Sequence, residues 1–198
     1  MSGSSGAPEG AKKIIKLGLV LFTVTAVTGL ILGIVNEITA EPIRRTRERM
    51  KNEALAGALP EAEEFSVIKL KDGAGGVLKE VQEGKSGGSV VGYCITATPS
   101  GYAGPIEIVV GITAQGKLNA IRILSQSETP GLGAKAPLPA FSGQFDGKDA
   151  ERLQVVKGSA SGGDQIQAIS GATITSNAVT LGVNAALEYW RDNLRGGE

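Results

Sequence analysis

The chain has 198 residues, with 20 basic and 20 acidic side chains and no histidine. Balanced charge leaves no basic footprint for nucleic acid, and the missing imidazoles remove every His-based triad and most metal sites. Cys94 is the single cysteine, so the chain cannot form its own disulfide or ligate an iron–sulfur cluster alone, since such clusters take four ligands.

Residues 1–13 read as a short tail whose opening, MSGSSGAPEG, is small and polar and is expected to be disordered. Residues 14–38 read as an anchor. Leu17 to Val35 (LGLVLFTVTAVTGLILGIV) carries no charge and is long enough to cross a bilayer as one helix. A buried core helix of that length would keep a polar face. A signal peptide has a shorter apolar region, about 7–15 residues, and Asn36-Glu37-Ile38-Thr39-Ala40 is a poor cleavage site. Gly29 and Gly33 have the small-xxx-small spacing of a helix-packing face. Lys12, Lys13 and Lys16 precede the span; Arg44, Arg45, Arg47, Arg49 and Lys51 follow it. By count the positive-inside rule places the later residues in the cytoplasm, although the lysines abut the span more closely and long domains translocate largely regardless of charge.

Residues 39–60 read as a stalk helix, with Pro42 in its first turn and Ile43, Met50, Leu55 and Leu59 on one face. Residues 61–198 form one domain; the roughly 160 residues beyond the span are enough for a real core. Strands are expected at Phe65–Lys71, Val90–Thr98, Ile106–Thr113, Leu118–Ser125 and Arg152–Lys157, while 61–89 carries little signal. Ala114-Gln115-Gly116-Lys117 is a hairpin turn, and Cys94 is a small buried hydrophobe in a strand. Val179, Val183, Leu187, Trp190 and Leu194 recur at helix spacing, with Gly196 as the stop. The class is α+β, with one N-terminal transmembrane helix, a mainly antiparallel sheet and flanking helices. There is no Walker loop, and Gly131-Leu132-Gly133 lacks the third glycine of a dinucleotide fingerprint.

The string before the last helix, Ser170-Gly171-Ala172-Thr173-Ile174-Thr175-Ser176, is dense in hydroxyls. Thr175, Ser176 and Asn177 are N-cap candidates. A small-residue loop at a helix N-terminus also favours phosphate, through free N–H groups and the positive end of the dipole. A second loop, Ser127-Glu128-Thr129-Pro130-Gly131-Leu132-Gly133, holds a Pro-Gly turn. A third, Gly101-Tyr102-Ala103-Gly104-Pro105-Ile106, precedes the hairpin.

These three loops, in this order behind an anchor, resemble the FMN-binding subunits of two membrane assemblies: the G subunit of Rnf electron-transport complexes and the C subunit of Na+-translocating NADH:quinone oxidoreductase. The compact size is closer to the former. The resemblance implies FMN held by a phosphoester to Thr173, the last residue of the family's Asp-x-x-Ser/Thr-Gly-Ala-Thr pattern. The leading Asp falls at Gln167, with Asp164 three residues too early, and Gln126 stands near a histidine of the family. Ser170, Gly171, Ala172 and Thr175 are then expected around the phosphate, with Ser170 and Thr175 donating to it. Glu128, Thr129, Gly131, Leu132, Gly133 and Tyr102 are expected near the flavin ring, Glu128 as an acceptor.

The resemblance further implies an electron relay between ferredoxin and NAD coupled to Na+ or H+ movement. It implies partners among the other membrane and iron–sulfur subunits, maturation by a flavin transferase, and contact with membrane lipid. It places the domain on the extracytoplasmic side of the cell membrane. The chain itself shows no motif for NAD, ferredoxin, a metal or a transported ion, and no catalytic residue. The alternative readings are an anchored extracytoplasmic binding or scaffolding module without covalent flavin, and the equivalent quinone-reductase subunit.

Overall fold

The computed structural model describes residues 9–71, 76–149 and 151–195, and its contacts divide the chain into two compact units, 1–48 and 49–198. Helix α1 (Glu9–Ala58) takes in both the expected anchor and the expected stalk. It begins inside the stretch read as tail, whose first eight residues lie outside the described ones. Pro42 sits inside this helix rather than at the start of a second one. A mid-helix proline removes one ladder bond, yet the helix continues through it.

In the first unit the apolar window of α1 is not buried at all within the protein, as a lipid-facing span requires. Its threonines hide their hydroxyls by donating to the carbonyl four residues back: Thr23 to Leu19 at 2.8 Å, Thr25 to Leu21 at 3.0 Å, Thr28 to Val24 at 2.8 Å. That satisfies each polar group inside the helix, which a hydrocarbon environment demands. The arginines after the span pair at i,i+4, Arg45 with Glu41 at 2.6 Å and Arg44 with Glu48 at 4.0 Å.

In the second unit five strands form an antiparallel meander in chain order: β1 (Glu64–Ile68), β2 (Leu78–Ser86), β3 (Ser89–Ala97), β4 (Glu107–Thr113) and β5 (Leu118–Ser125). A short helix α2 (Pro139–Ser142) follows. Then come two short strands, β6 (Gln154–Val156) and β7 (Gln165–Gln167), paired in parallel, and the closing helix α3 (Thr173–Asn193). Gly196, read as the stop of α3, lies outside the described residues.

Successive strand residues point to opposite faces, and both faces are covered. Val81, Ile95, Ile108, Val110, Ile112 and Ile121 face a core completed by Phe141, Phe145, Val179, Val183, Leu187 and Trp190. Cys94 and Val109 face the other way, against Ala54, Leu55, Ala58 and Leu59 at the end of α1. Glycines make that second contact close. A Cβ at Gly84 would lie 2.6 Å from Leu59 Cδ2, and one at Gly111 would collide with the Ala58 carbonyl. Polar groups lock the seam: Asn119 Nδ2 donates to Ala58 O at 2.8 Å, and Lys51 Nζ pairs with Glu80 Oε2 at 2.6 Å.

The strands expected from β3 to β5 are present, and β1 and β6 are shorter than expected. The short α2 and β7 and the longer β2 were not expected from sequence patterning, and β2 is the longest of the three. Its register slips between Leu78 and Glu80 and again between Gly84 and Lys85, and such bulges destroy the period-two alternation by which strands are recognised.

Candidate functional site

Three segments converge on a cavity of about 600 Å³: the loop before β4, the loop after β5, and the first turn of α3. Its walls are Tyr102 from the first, Glu128, Thr129, Leu132 and Gly133 from the second, and Gly171 to Thr175 from the third. Ser170 and Gly131, also expected here, belong to the same loops but do not line the cavity. Ile174 does line it and was not singled out from sequence; its place between the two threonines of the string was the available signal.

Glu128 is the knot of the site. Its carboxylate is buried, 5 % exposed. Oε1 accepts from Ala103 N at 2.9 Å, and Oε2 accepts from the Thr175 hydroxyl. Its own N–H donates to Gln126 Oε1 at 2.6 Å. One side chain thereby joins all three segments. Two glycines make room for it. A Cβ at Gly101 would lie 2.6 Å from Glu128 Oε1, and one at Gly133 would lie 2.6 Å from Oε2. Gly171 has φ +74° with Leu132 beside it, a backbone state that side chains with a Cβ disfavour.

The start of α3 differs from expectation. The helix begins at Thr173, with Ala172 at the N-cap position and no side-chain cap. None of Thr175, Ser176 and Asn177 is the cap. Ser176 Oγ, fully buried, accepts from Ile169 N at 3.0 Å and donates to Ala172 O at 2.9 Å, pinning the turn before the helix. Thr175 is equally buried, and its single hydroxyl proton goes to Glu128 in this structure.

What remains open is informative. The first helical bond runs from Ser176 N to Ala172 O at 3.0 Å. The N–H groups of Thr173, Ile174 and Thr175 therefore have no acceptor among the described residues. The Thr173 hydroxyl, half-buried in the cavity wall, likewise has no hydrogen bond there. Three free donors at a positive helix end, beside one free hydroxyl, can hold a phosphate. Tyr102, Leu132 and Ile174 are 69 %, 41 % and 55 % exposed and offer apolar surface for a planar ring. Among the described residues Glu128 is the only charged one in the wall. The cavity falls within the range of small-molecule sites, about 300–1,000 Å³, and its donor set and apolar rim fit a flavin mononucleotide. Gln167, in β7, is exposed and bonded through its backbone to Gln144, at 2.7 Å from N to Oε1. Asp164 lies elsewhere, in the wall of another depression beside Lys148.

Fold and cavity define a membrane-anchored flavin-binding domain, and residues 101–188 match the family described as the FMN-binding domain. The chain belongs to the family of G subunits of ion-translocating ferredoxin:NAD+ oxidoreductase (Rnf) complexes. It is 42% identical to the G subunit of the Na+-translocating ferredoxin:NAD+ oxidoreductase complex of Acetobacterium woodii, over 91% of this chain and 93% of that one. To the proton-translocating counterpart of Clostridium ljungdahlii it is 36% identical, over 82% and 83%. The crystal structure of the C subunit of Na+-translocating NADH-quinone reductase from Parabacteroides distasonis has the same fold. It matches with a TM-score of 0.60 at 20% identity, over 79% of this chain and 97% of that one.

Proposed function

We propose that Thr173 carries FMN as a phosphoester and that the anchored domain relays electrons between other subunits of an ion-translocating ferredoxin:NAD+ oxidoreductase. The observation that carries this reading is the division of labour among the hydroxyls of the string. Thr175 and Ser176 are bonded inward, whereas Thr173, a residue of the cavity wall at the first turn of an uncapped helix, has a hydroxyl with no hydrogen bond among the described residues.

Relative to free FMN and the free threonine the ester would lack one water: Thr173 Oγ1, having given up its proton, would take the place of one phosphate hydroxyl on phosphorus. A flavin transferase would install the group, and Gln167, exposed beside the turn, stands where it reads the family's acid. The free N–H groups of Thr173, Ile174 and Thr175 would hold the remaining phosphate charge, with the helix end contributing about 0.3–1 kcal/mol. Ser170, exposed on the same loop, is the side-chain donor still free to help. Gly171 keeps the backbone close, and Leu132, Ile174 and Tyr102 would flank the ring. FMN, when bound, supplies the redox chemistry, while the protein supplies position and electrostatics.

The relatives are named for ferredoxin:NAD+ chemistry coupled to Na+ in one case and to protons in another. The same electron route is proposed here, with the domain on the extracytoplasmic side. Free FMN would dilute away there, whereas a tether holds it at an effective concentration in the millimolar range. Gly29 and Gly33, with open space around them, are the proposed contact of the span with neighbouring membrane subunits, the remainder of the helix facing lipid.

The test is an intact mass of the chain from its native membrane beside Thr173→Ala. An increment of FMN less one water, lost in the variant, is the expected result. An unmodified wild type from cells that flavinylate related proteins would favour a binding module whose loop only starts a helix.

A further inference from the structure

Outside the flavin cavity, β6 and α3 border a groove of about 740 Å³. We infer that it receives an extended, acidic segment of another subunit of the complex, added as a strand along the open edge of β6. This rests on the chain being one subunit of an assembly.

The backbone makes the first argument. Gln154 N donates to Asp164 O at 2.8 Å, and Ala168 N donates to Val156 O at 2.8 Å. Val155 lies opposite Ile166 between them. In a parallel ladder alternate residues bond the same neighbour, so Gln154 and Val156 turn toward β7 and Val155 turns its N–H and C=O away from it. That outer edge faces α3. Leu153, two residues earlier on the same edge, already has a surrogate neighbour: Asn184 Oδ1 accepts from Leu153 N at 2.8 Å, and Asn184 Nδ2 donates to Leu153 O at 2.9 Å. The side-chain amide stands in for a strand. At Val155, among the described residues, nothing continues the pattern, although the groove runs alongside.

A further observation is independent of that edge. Arg152 and Arg191 also line the groove, have no ion-pair partner among the described residues, and outnumber the one acid there, Glu188. Unpaired strand groups ask for an extended backbone, and the excess cation for a carboxylate. Strand addition of an acidic segment to an exposed edge supplies both. Leu181, 53 % exposed, gives the occupant an apolar wall.

The experiment uses the full chain, alone in detergent and within the complex purified from its native membrane. Hydrogen exchange at the Val155 amide is expected to be fast in the free chain and at least tenfold slower in the complex. Val155→Pro removes an N–H that β7 does not use, a position where edge strands tolerate proline. Its flavin content and thermal midpoint should match wild type, while its association with the complex weakens about fivefold or more, the equivalent of one main-chain bond. Equal exchange at Val155 in free and assembled protein, with the proline variant assembling as wild type does, would overturn the inference. A wild-type chain that purifies without any other subunit would overturn the assembly reading and this inference with it.

Discussion

The Thr175 hydroxyl donates to Glu128 Oε2, across 47 residues of sequence, and this bond ties the start of α3 to the loop after β5. The same carboxylate reaches the loop before β4 through Ala103 N, 2.9 Å away. The cavity is therefore assembled by one buried side chain with two donors. Thr175→Val keeps the shape and removes the donor. It should destabilise the chain by about 1–3 kcal/mol, the cost of leaving a buried acceptor short of a partner. Denaturant unfolding of the variant checks this, and an unchanged midpoint would mean the bond contributes nothing.

Gly133 and Gly104 form a matched pair for testing how tightly the knot is packed. A Cβ at Gly133 would meet Thr175 Oγ1 at 2.5 Å and Glu128 Cβ at 2.8 Å, whereas one at Gly104 would meet nothing within 4 Å. Overpacking of this kind costs about 1–3 kcal/mol. Gly133→Ala should lose stability in that range and reduce flavin content, read from the absorbance of the purified chain. Gly104→Ala should leave both unchanged.

Much of this site was legible because its loops are contiguous strings. Gly101 to Ile106, Glu128 to Gly133 and Ser170 to Ser176 each announce a turn through glycine, proline or hydroxyls, and the structure brings all three to one cavity. The role of each hydroxyl was not legible. Thr175 and Ser176 look like caps by position, but Glu128 and the Ile169 N–H, distant or preceding in sequence, compete for them and win. β2 was hidden for a different reason: it pairs with both β1 and β3, yet its bulges scramble the alternation. The proline at position 42 misled because a lipid-facing or solvated helix can absorb one missing bond that sequence rules treat as a boundary.

The charge on Glu128 should be felt by the flavin. Among the described residues it is the only ionisable one in the wall apart from the exposed Tyr102, and a carboxylate disfavours the arrival of an electron nearby by Coulomb repulsion. Glu128→Gln keeps an oxygen for Ala103 N and a polar atom for Thr175, so the fold should persist. The flavin's midpoint potential should rise relative to wild type in a spectroelectrochemical titration. A fall, or no change, would mean that the carboxylate does not act on the ring.

Cys94 reports on the opposite face of the sheet. Burial under the end of α1 pushes its thiol up to about 12 from an ordinary value of 9.0. Between those values the unfolded chain gives up the proton while the folded chain keeps it, so stability should fall as pH rises from about 9 toward about 12. Cys94→Ala should remove that part of the slope. The same burial makes the thiol inert, because the thiolate is the reactive form. Gly111 guards it: a Cβ there would strike the Ala58 carbonyl, which is backbone and cannot swing aside. Gly111→Ala should therefore lift the end of α1 from the sheet and raise the rate of maleimide labelling at Cys94 by at least about tenfold at pH 8, the change that a one-unit fall in its pKa would produce. Labelling as slow as wild type would show that the helix end and the sheet can separate by the width of a methyl group without admitting solvent to the sulfur.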